Sequence, residues 1–166
     1  MKTVNNSIIP GFAQNNELNS LTEAIEAGAD VNEKNEFGAT GLHYSISEEN
    51  HDITRVLLDH GADVTVQDSE GMTPLHYAVE YDACDIAEAL LKENSKVIAI
   101  SDKHGNEPLW TAAFNSGGNY ELVTLLLQHG ADVTHENNTG LTPLDVPKRM
   151  GDDALTKLLE SSLGAK

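Results

Sequence analysis

One phrase, Gly71-Met72-Thr73-Pro74-Leu75-His76-Tyr77-Ala78, returns as Gly38-Ala39-Thr40-Gly41-Leu42-His43-Tyr44-Ser45. It returns more loosely as Gly105-Asn106-Glu107-Pro108-Leu109-Trp110-Thr111-Ala112 and as Gly140-Leu141-Thr142-Pro143-Leu144-Asp145-Val146-Pro147. The leading glycines stand 33, 34 and 35 residues apart. A second phrase keeps the same phase: Gly28-Ala29-Asp30-Val31, Gly61-Ala62-Asp63-Val64, a decayed Asn94-Ser95-Lys96-Val97, and Gly130-Ala131-Asp132-Val133. Two phrases sharing one period near 33 residues mark a stack of repeats, because a unit that short cannot bury its apolar face alone. The 166 residues therefore predict one elongated domain, not a globule around a central core.

The period divides the chain into an N-terminal cap (1–34), repeats over 35–67, 68–100 and 101–136, and a C-terminal cap (137–166). In the cap, Ser7 is placed to cap a short helix over residues 8–14. Residues 17–27 follow as a second helix, with Leu18, Leu21, Ala24 and Ile25 on one face and Gly28 as terminator. The first repeat predicts an inner helix over 40–48 and an outer one over 52–60, with Ile53, Val56 and Leu57 inward. Gly41 stands where other units have proline, which leaves that helix start less preset. In the second repeat Thr73 is the natural N-cap and Pro74 the natural first helical residue. Its outer helix covers 85–92, and Asn94 replaces the terminal glycine as a residue that tolerates the left-handed conformation.

The third repeat is irregular. The spacing places one extra residue in the turn over 101–104 and two between the helices, within 115–119. Insertions in a solenoid fall in loops; this one is either a functional feature or drift of a surface segment. In the C-terminal cap Pro147 follows Pro143 by four residues. It removes a helical hydrogen bond and crowds the carbonyl of Pro143, which predicts a kinked or shortened inner helix.

The phrase at residues 71–78, followed about twenty residues later by Gly-Ala-Asp-Val at other units, resembles the ankyrin repeat over roughly residues 17–160. The resemblance implies an all-α solenoid of helix-turn-helix units joined by β-turn fingers. It also implies a concave face of inner helices and a role in binding proteins, and that His43 and His76 hydrogen-bond back to the start of their helices. Residues 108–115 and 142–146 are similar, more loosely, to small bacterial ankyrin proteins of the toxin-immunity type.

Charge narrows the partners. Ten basic against 27 acidic residues give a net charge of -17. That argues against direct nucleic-acid binding, which needs a basic surface. It serves either solubility or attraction of a basic protein. One cysteine, Cys84, permits no internal disulfide and predicts a reducing, cytoplasmic setting. It sits where an apolar residue packs, as a buried structural thiol. No apolar run is long enough to span a membrane, and residues 1–14 do not read as a secretory signal. Seven histidines show no ligand spacing: His43 and His76 lie one repeat apart, and His60 and His129 occupy helix ends that favour a cation. No phosphate loop, nucleophile elbow or zinc motif is present, so no enzyme, cofactor or metal is expected.

Carried over by the resemblance, the turn tips are Glu36, Phe37 and Ala39; Ser69, Glu70 and Met72; Lys103, His104 and Asn106; and Asn138, Thr139 and Leu141. The inner-helix ends supply Ser47 and Glu48, Glu80 and Tyr81, Phe114 and Asn115, and Arg149 and Met150. Phe37, Met72, Tyr81 and Phe114 are apolar or aromatic where solvent is expected, the composition of interface hot spots. Glu36, Glu48, Glu70 and Glu80 would favour a basic partner. Trp110, which replaces the helix-start histidine, either contacts the partner or fills space opened by the insertion. The candidate partner-binding set is Glu36, Phe37, Glu48, Glu70, Met72, Glu80, Tyr81, His104, Trp110, Phe114 and Asn115. The expected function is stoichiometric inhibition of a basic protein by a monomer or one-to-one heterocomplex, in its sharpest form as an immunity protein neutralising a toxin. The alternative is a non-inhibitory adaptor or scaffold.

Overall fold

The computed structural model describes residues 8–163; the cap expected at Ser7 and the end of the chain at 164–166 lie outside them. Ten α-helices and one 3-10 turn, with no strand, make up the regular structure of the described residues. The helices are α1 (Ile8–Gln14), α2 (Leu18–Glu26), α3 (Gly41–Ser47), α4 (His51–Asp59), α5 (Pro74–Glu80), α6 (Cys84–Glu93), α7 (Pro108–Asn115), α8 (Glu121–Gln128), α9 (Asp145–Met150) and α10 (Asp153–Leu163). The odd-numbered inner helices pack in a row, α1 on α3, α3 on α5, α5 on α7 and α7 on α9. Each outer helix lies behind its partner. One apolar seam runs the length of the row, from Ile9 and Leu21 through Leu42, Leu57, Leu75, Leu90, Leu109 and Leu126 to Leu155 and Leu159.

Local chemistry explains the inner helix starts. The Thr40 N–H donates to His43 Nδ1 at 3.1 Å, and its hydroxyl lies 2.9 Å from the same nitrogen. Thr73 and His76 repeat these contacts at the same distances. The other ring nitrogen reaches the next unit: His43 Nε2 lies 3.1 Å from the Met72 carbonyl, and His76 Nε2 3.1 Å from that of Asn106. A carbonyl only accepts, so Nε2 carries the proton and Nδ1 is the acceptor. Each ring thus caps its own helix and staples it to the following finger. Burial pushes both imidazole pKa values down, which keeps them neutral.

Four fingers share one turn. Asn35 Oδ1 accepts from the N–H groups of Phe37 and Ala39, and Asp68, Asp102 and Asn137 do the same two and four residues on. Successive fingers are joined by backbone bonds: Ser69 N–H to Phe37 O, Lys103 N–H to Glu70 O, and Asn138 N–H to His104 O, at 2.8, 2.8 and 2.9 Å. Glycine is required at Gly71 on two counts. Its φ is +76°, and a Cβ there would stand 2.8 Å from Lys103 N.

Several expectations are corrected. Asn94 is extended (φ -153°), not left-handed. Asn94 precedes Asp102 by eight residues where Gly61 precedes Asp68 by seven. The extra residue is therefore absorbed in the 3-10 turn Ser95–Ala99, capped by Asn94 Oδ1 accepting from Lys96 N–H at 3.1 Å. The finger at 102–106 is regular. Gly41 owes its place to packing, because a Cβ would meet Ile9 Cγ2 at 2.9 Å and Leu57 Cδ1 at 3.4 Å, so a side chain there must displace Ile9 of α1. Cys84 opens α6 and is only half-buried. Burial and the nearby Glu121 carboxylate push its thiol pKa up, away from nucleophilic character. Pro147 does shorten its helix: α9 begins at Asp145, whose carboxylate accepts from the Thr142 N–H (2.9 Å) and hydroxyl (2.8 Å). Asp145 takes the capping role of the histidine, and the Thr142 donors hold its pKa down.

Candidate functional site

The inner helices and fingers present one face, and their termini place the candidate side chains on it. Three left-handed residues turn the chain from inner to outer helix, Asn16, Glu49 and Asp82 (φ 59°, 53° and 54°), with Gly117 and Gly118 taking over in the third repeat. These turns leave the last inner-helix residues pointing to solvent. Glu48 and Glu80 are exposed, Tyr81 is 43% and Phe114 54% exposed. Tyr81 stacks on Tyr77 with ring centroids 6.4 Å apart, and the Tyr77 hydroxyl donates to Asp68 at 2.9 Å. That bond anchors the aromatic pair to the second finger.

At the fingertips Glu36 and Phe37 are exposed, Phe37 by 58%. Met72 is not: it is half-buried, and its backbone serves the finger, the N–H bound to Asp68 and the carbonyl to His43. Glu70 is exposed but paired, its carboxylate forming an ion pair with Lys103 of the next finger. His104 is exposed, with its carbonyl engaged by Asn138.

Trp110 does not fill the insertion. It is half-buried near the start of α7 and stacks on Phe114 with centroids 5.4 Å apart and planes 11° off parallel. Its Nε1 is buried without a hydrogen-bond partner. The histidine staple seen at the two earlier junctions is therefore missing between α7 and α9. Trp110, Phe114, Leu141, Val146, Arg149 and Met150 line an apolar groove of about 250 Å³ there. The insertion borders a different, smaller hollow of about 110 Å³, where Glu80, Asp82, Asn115, Ser116 and Asn119 meet the apolar Val79, Ala112 and Leu122.

Arg149 and Met150, the latter 59% exposed, stand at the positions of Glu80 and Tyr81 two units earlier. Along this register the side chains run Ser47, Glu80, Phe114, Arg149. The face is acidic over the first two repeats and changes sign toward the C-terminal end. The overall charge hides that reversal.

One buried carboxylate lies outside this face. Glu107 replaces the capping threonine and approaches His135 Nδ1 at 3.4 Å, while His135 Nε2 lies 3.0 Å from the Gly105 carbonyl. Burial pushes the Glu107 pKa up and the His135 charge opposes it. The pair ties the third repeat to the segment leading into the last finger. Among the described residues no group of three His, Cys, Asp or Glu is placed to hold a metal ion, and no helix is long and apolar enough to cross a membrane.

A family model described as ankyrin repeats (three copies) matches residues 12–102, and one described as ankyrin repeat matches residues 104–138. A putative ankyrin repeat protein of fowlpox virus is 31% identical over 148 residues, covering 84% of this chain and 18% of the viral protein. The chain thus spans about a fifth of the length of that relative. The matched segments carry the first three fingers, both histidine staples and the helix pairs from α3 to α8. The chain belongs to the ankyrin repeat family, whose repeats are protein-binding modules.

Proposed function

We propose that the concave face binds one basic protein partner, one to one, and inhibits it. The observation that carries this reading is the exposure of Tyr81 and Phe114 beside Glu48, Glu80 and Asp82. Aromatic anchors provide binding energy once desolvated, and the surrounding carboxylates speed encounter with a basic surface and disfavour acidic ones. In its sharpest form the partner is a toxin and this chain its immunity protein, supported by the acidity and by the phrase at residues 108–115. The adaptor reading makes a different prediction, namely that two partners bind at once and neither loses activity.

Affinity capture from a lysate of the source cell, at low and high salt, tests this. One basic protein should be retained at low salt and partly released at high salt, and Tyr81→Ala, Trp110→Ala and Glu80→Lys should each weaken retention. Unchanged retention in all three overturns the concave-face reading. Assaying the captured partner with and without a saturating amount of this chain separates the two roles, since unaltered activity means tethering.

A further inference from the structure

Two hollows flank the C-terminal end of α7, and they differ in chemistry. On the α5 side, the hollow of mixed lining carries two carboxylates, Glu80 and Asp82. On the α9 side, Phe114 and Met150 border the apolar one, with Arg149 at its rim. Arg149 makes no ion pair among the described residues, whereas Lys148 beside it is paired with Glu160 at 3.4 Å. Its charge acts on Asp145 one turn back on α9 without a close ion pair, so the guanidinium beside the apolar groove can still take a carboxylate that adjoins an apolar side chain. Neighbouring packed helices lie about 8–10 Å apart, so the two hollows are separated by roughly three residues of extended chain at about 3.3 Å each.

Building on the concave-face reading, we propose that this surface recognises a bipartite segment of the partner. A lysine or arginine side chain sits at Glu80 and Asp82. About three residues away, a large apolar side chain fills the groove between Phe114 and Met150, and an adjacent carboxylate pairs with Arg149. The net charge of -17 points to a purely basic ligand. The local geometry instead selects a segment of mixed sign, and it sets the order of the groups along α5, α7 and α9.

Fluorescence anisotropy with synthetic peptides tests this. Two peptides carry lysine, two spacers, leucine and glutamate, one in each chain direction. Control peptides replace the leucine by alanine, the glutamate by lysine, or both groups by glycine to leave a basic-only peptide. One direction of the full peptide should bind, and loss of its leucine should weaken binding at least about tenfold, as expected for burying one such side chain. Replacing the glutamate by lysine should weaken binding to the wild-type chain several-fold and strengthen binding to Arg149→Glu. If the basic-only and full peptides bind equally, and Arg149→Glu leaves the glutamate-to-lysine ratio unchanged, the bipartite proposal is overturned. The concave-face reading survives that result if Glu80→Lys still abolishes binding of the basic-only peptide. Binding of neither full peptide also overturns the proposal, while the lysate capture decides the wider reading separately.

Discussion

Gly61 and Gly71 have nearly the same backbone conformation, φ +78° and +76°. Alanine at either bears the same left-handed strain, about 1–2 kcal/mol, partly offset by the roughly 0.4–1 kcal/mol that alanine contributes by narrowing the unfolded ensemble. What differs is space. Nothing lies within 4 Å of a Cβ built at Gly61, whereas one at Gly71 meets Lys103 N at 2.8 Å and the Asp102 carbonyl carbon at 3.0 Å. Those are backbone atoms of the next finger and cannot swing aside. The bond from Lys103 N–H to Glu70 O, 2.8 Å long, must lengthen or break. A lost backbone bond costs about 0.5–1.5 kcal/mol and overpacking about 1–3 kcal/mol. Gly61→Ala should therefore cost about 1 kcal/mol and Gly71→Ala about 2–4 kcal/mol. Urea unfolding followed by far-UV circular dichroism reads the difference. At a slope of about 2 kcal/mol per molar, the two midpoints should separate by roughly 0.5–1.5 M. Coincident midpoints would refute the claim that the fingers are stacked in backbone contact. They would also remove the basis for a fixed spacing of Phe37, Glu70 and His104 along the binding face.

Glu49 occupies the left-handed turn between α3 and α4 at φ 53°; Glu49→Gly should raise stability by up to about 1 kcal/mol in the same urea assay, and a loss would show that its side chain makes a contact outweighing the strain. The depressed pKa values of His43 and His76 mean that the unfolded chain binds more protons than the folded one just below the ordinary imidazole pKa of about 6.5. Their contribution is present above that pH and is lost as pH falls through the folded values. Urea midpoints should drop as pH falls from about 7.5 toward 5.5, and the double variant His43→Asn/His76→Asn should show a flatter profile from a lower starting stability. Asp145→Ala removes the acceptor that closes the Thr142 turn at the start of α9 and should cost about 1 kcal/mol, detectable in the same melts, whereas an unchanged midpoint would show that the turn holds without the carboxylate.

The helix starts are legible because Thr-Pro-Leu-His states its own capping chemistry, and the stops because glycine marks the left-handed residue. Where the chain uses other means, the pattern is silent. Asn94 looks like a weak glycine substitute, yet the extra residue before Asp102 converts that corner into a 3-10 turn. Asn16, Glu49 and Asp82 are left-handed without being glycine; only their 33-residue spacing, in register with Gly117 and Gly118, could have marked them. Asn35, Asp68, Asp102 and Asn137, each three residues before a finger glycine, carry a turn signal that periodicity alone contains. Exposure is harder to read than type: Phe37, Tyr81 and Phe114 face solvent, but Met72 is held in by the finger bonds around it. Charge is hardest, because the pairing of Glu70 with Lys103 and the reversal from Glu80 to Arg149 appear only once adjacent units are stacked.

The most direct test of the central claim is a side-by-side capture from source-cell lysate using wild type, Tyr81→Ala, Glu80→Lys and the outer-helix control Glu93→Lys. Glu93 is exposed at the end of α6, and a lysine there suits the helix dipole. One basic protein should be retained by wild type and by the Glu93→Lys control and be lost, or released at lower salt, by the two inner-face variants. Equal retention by all four, or loss only with the Glu93→Lys control, would contradict the central claim and move the interface off the concave face.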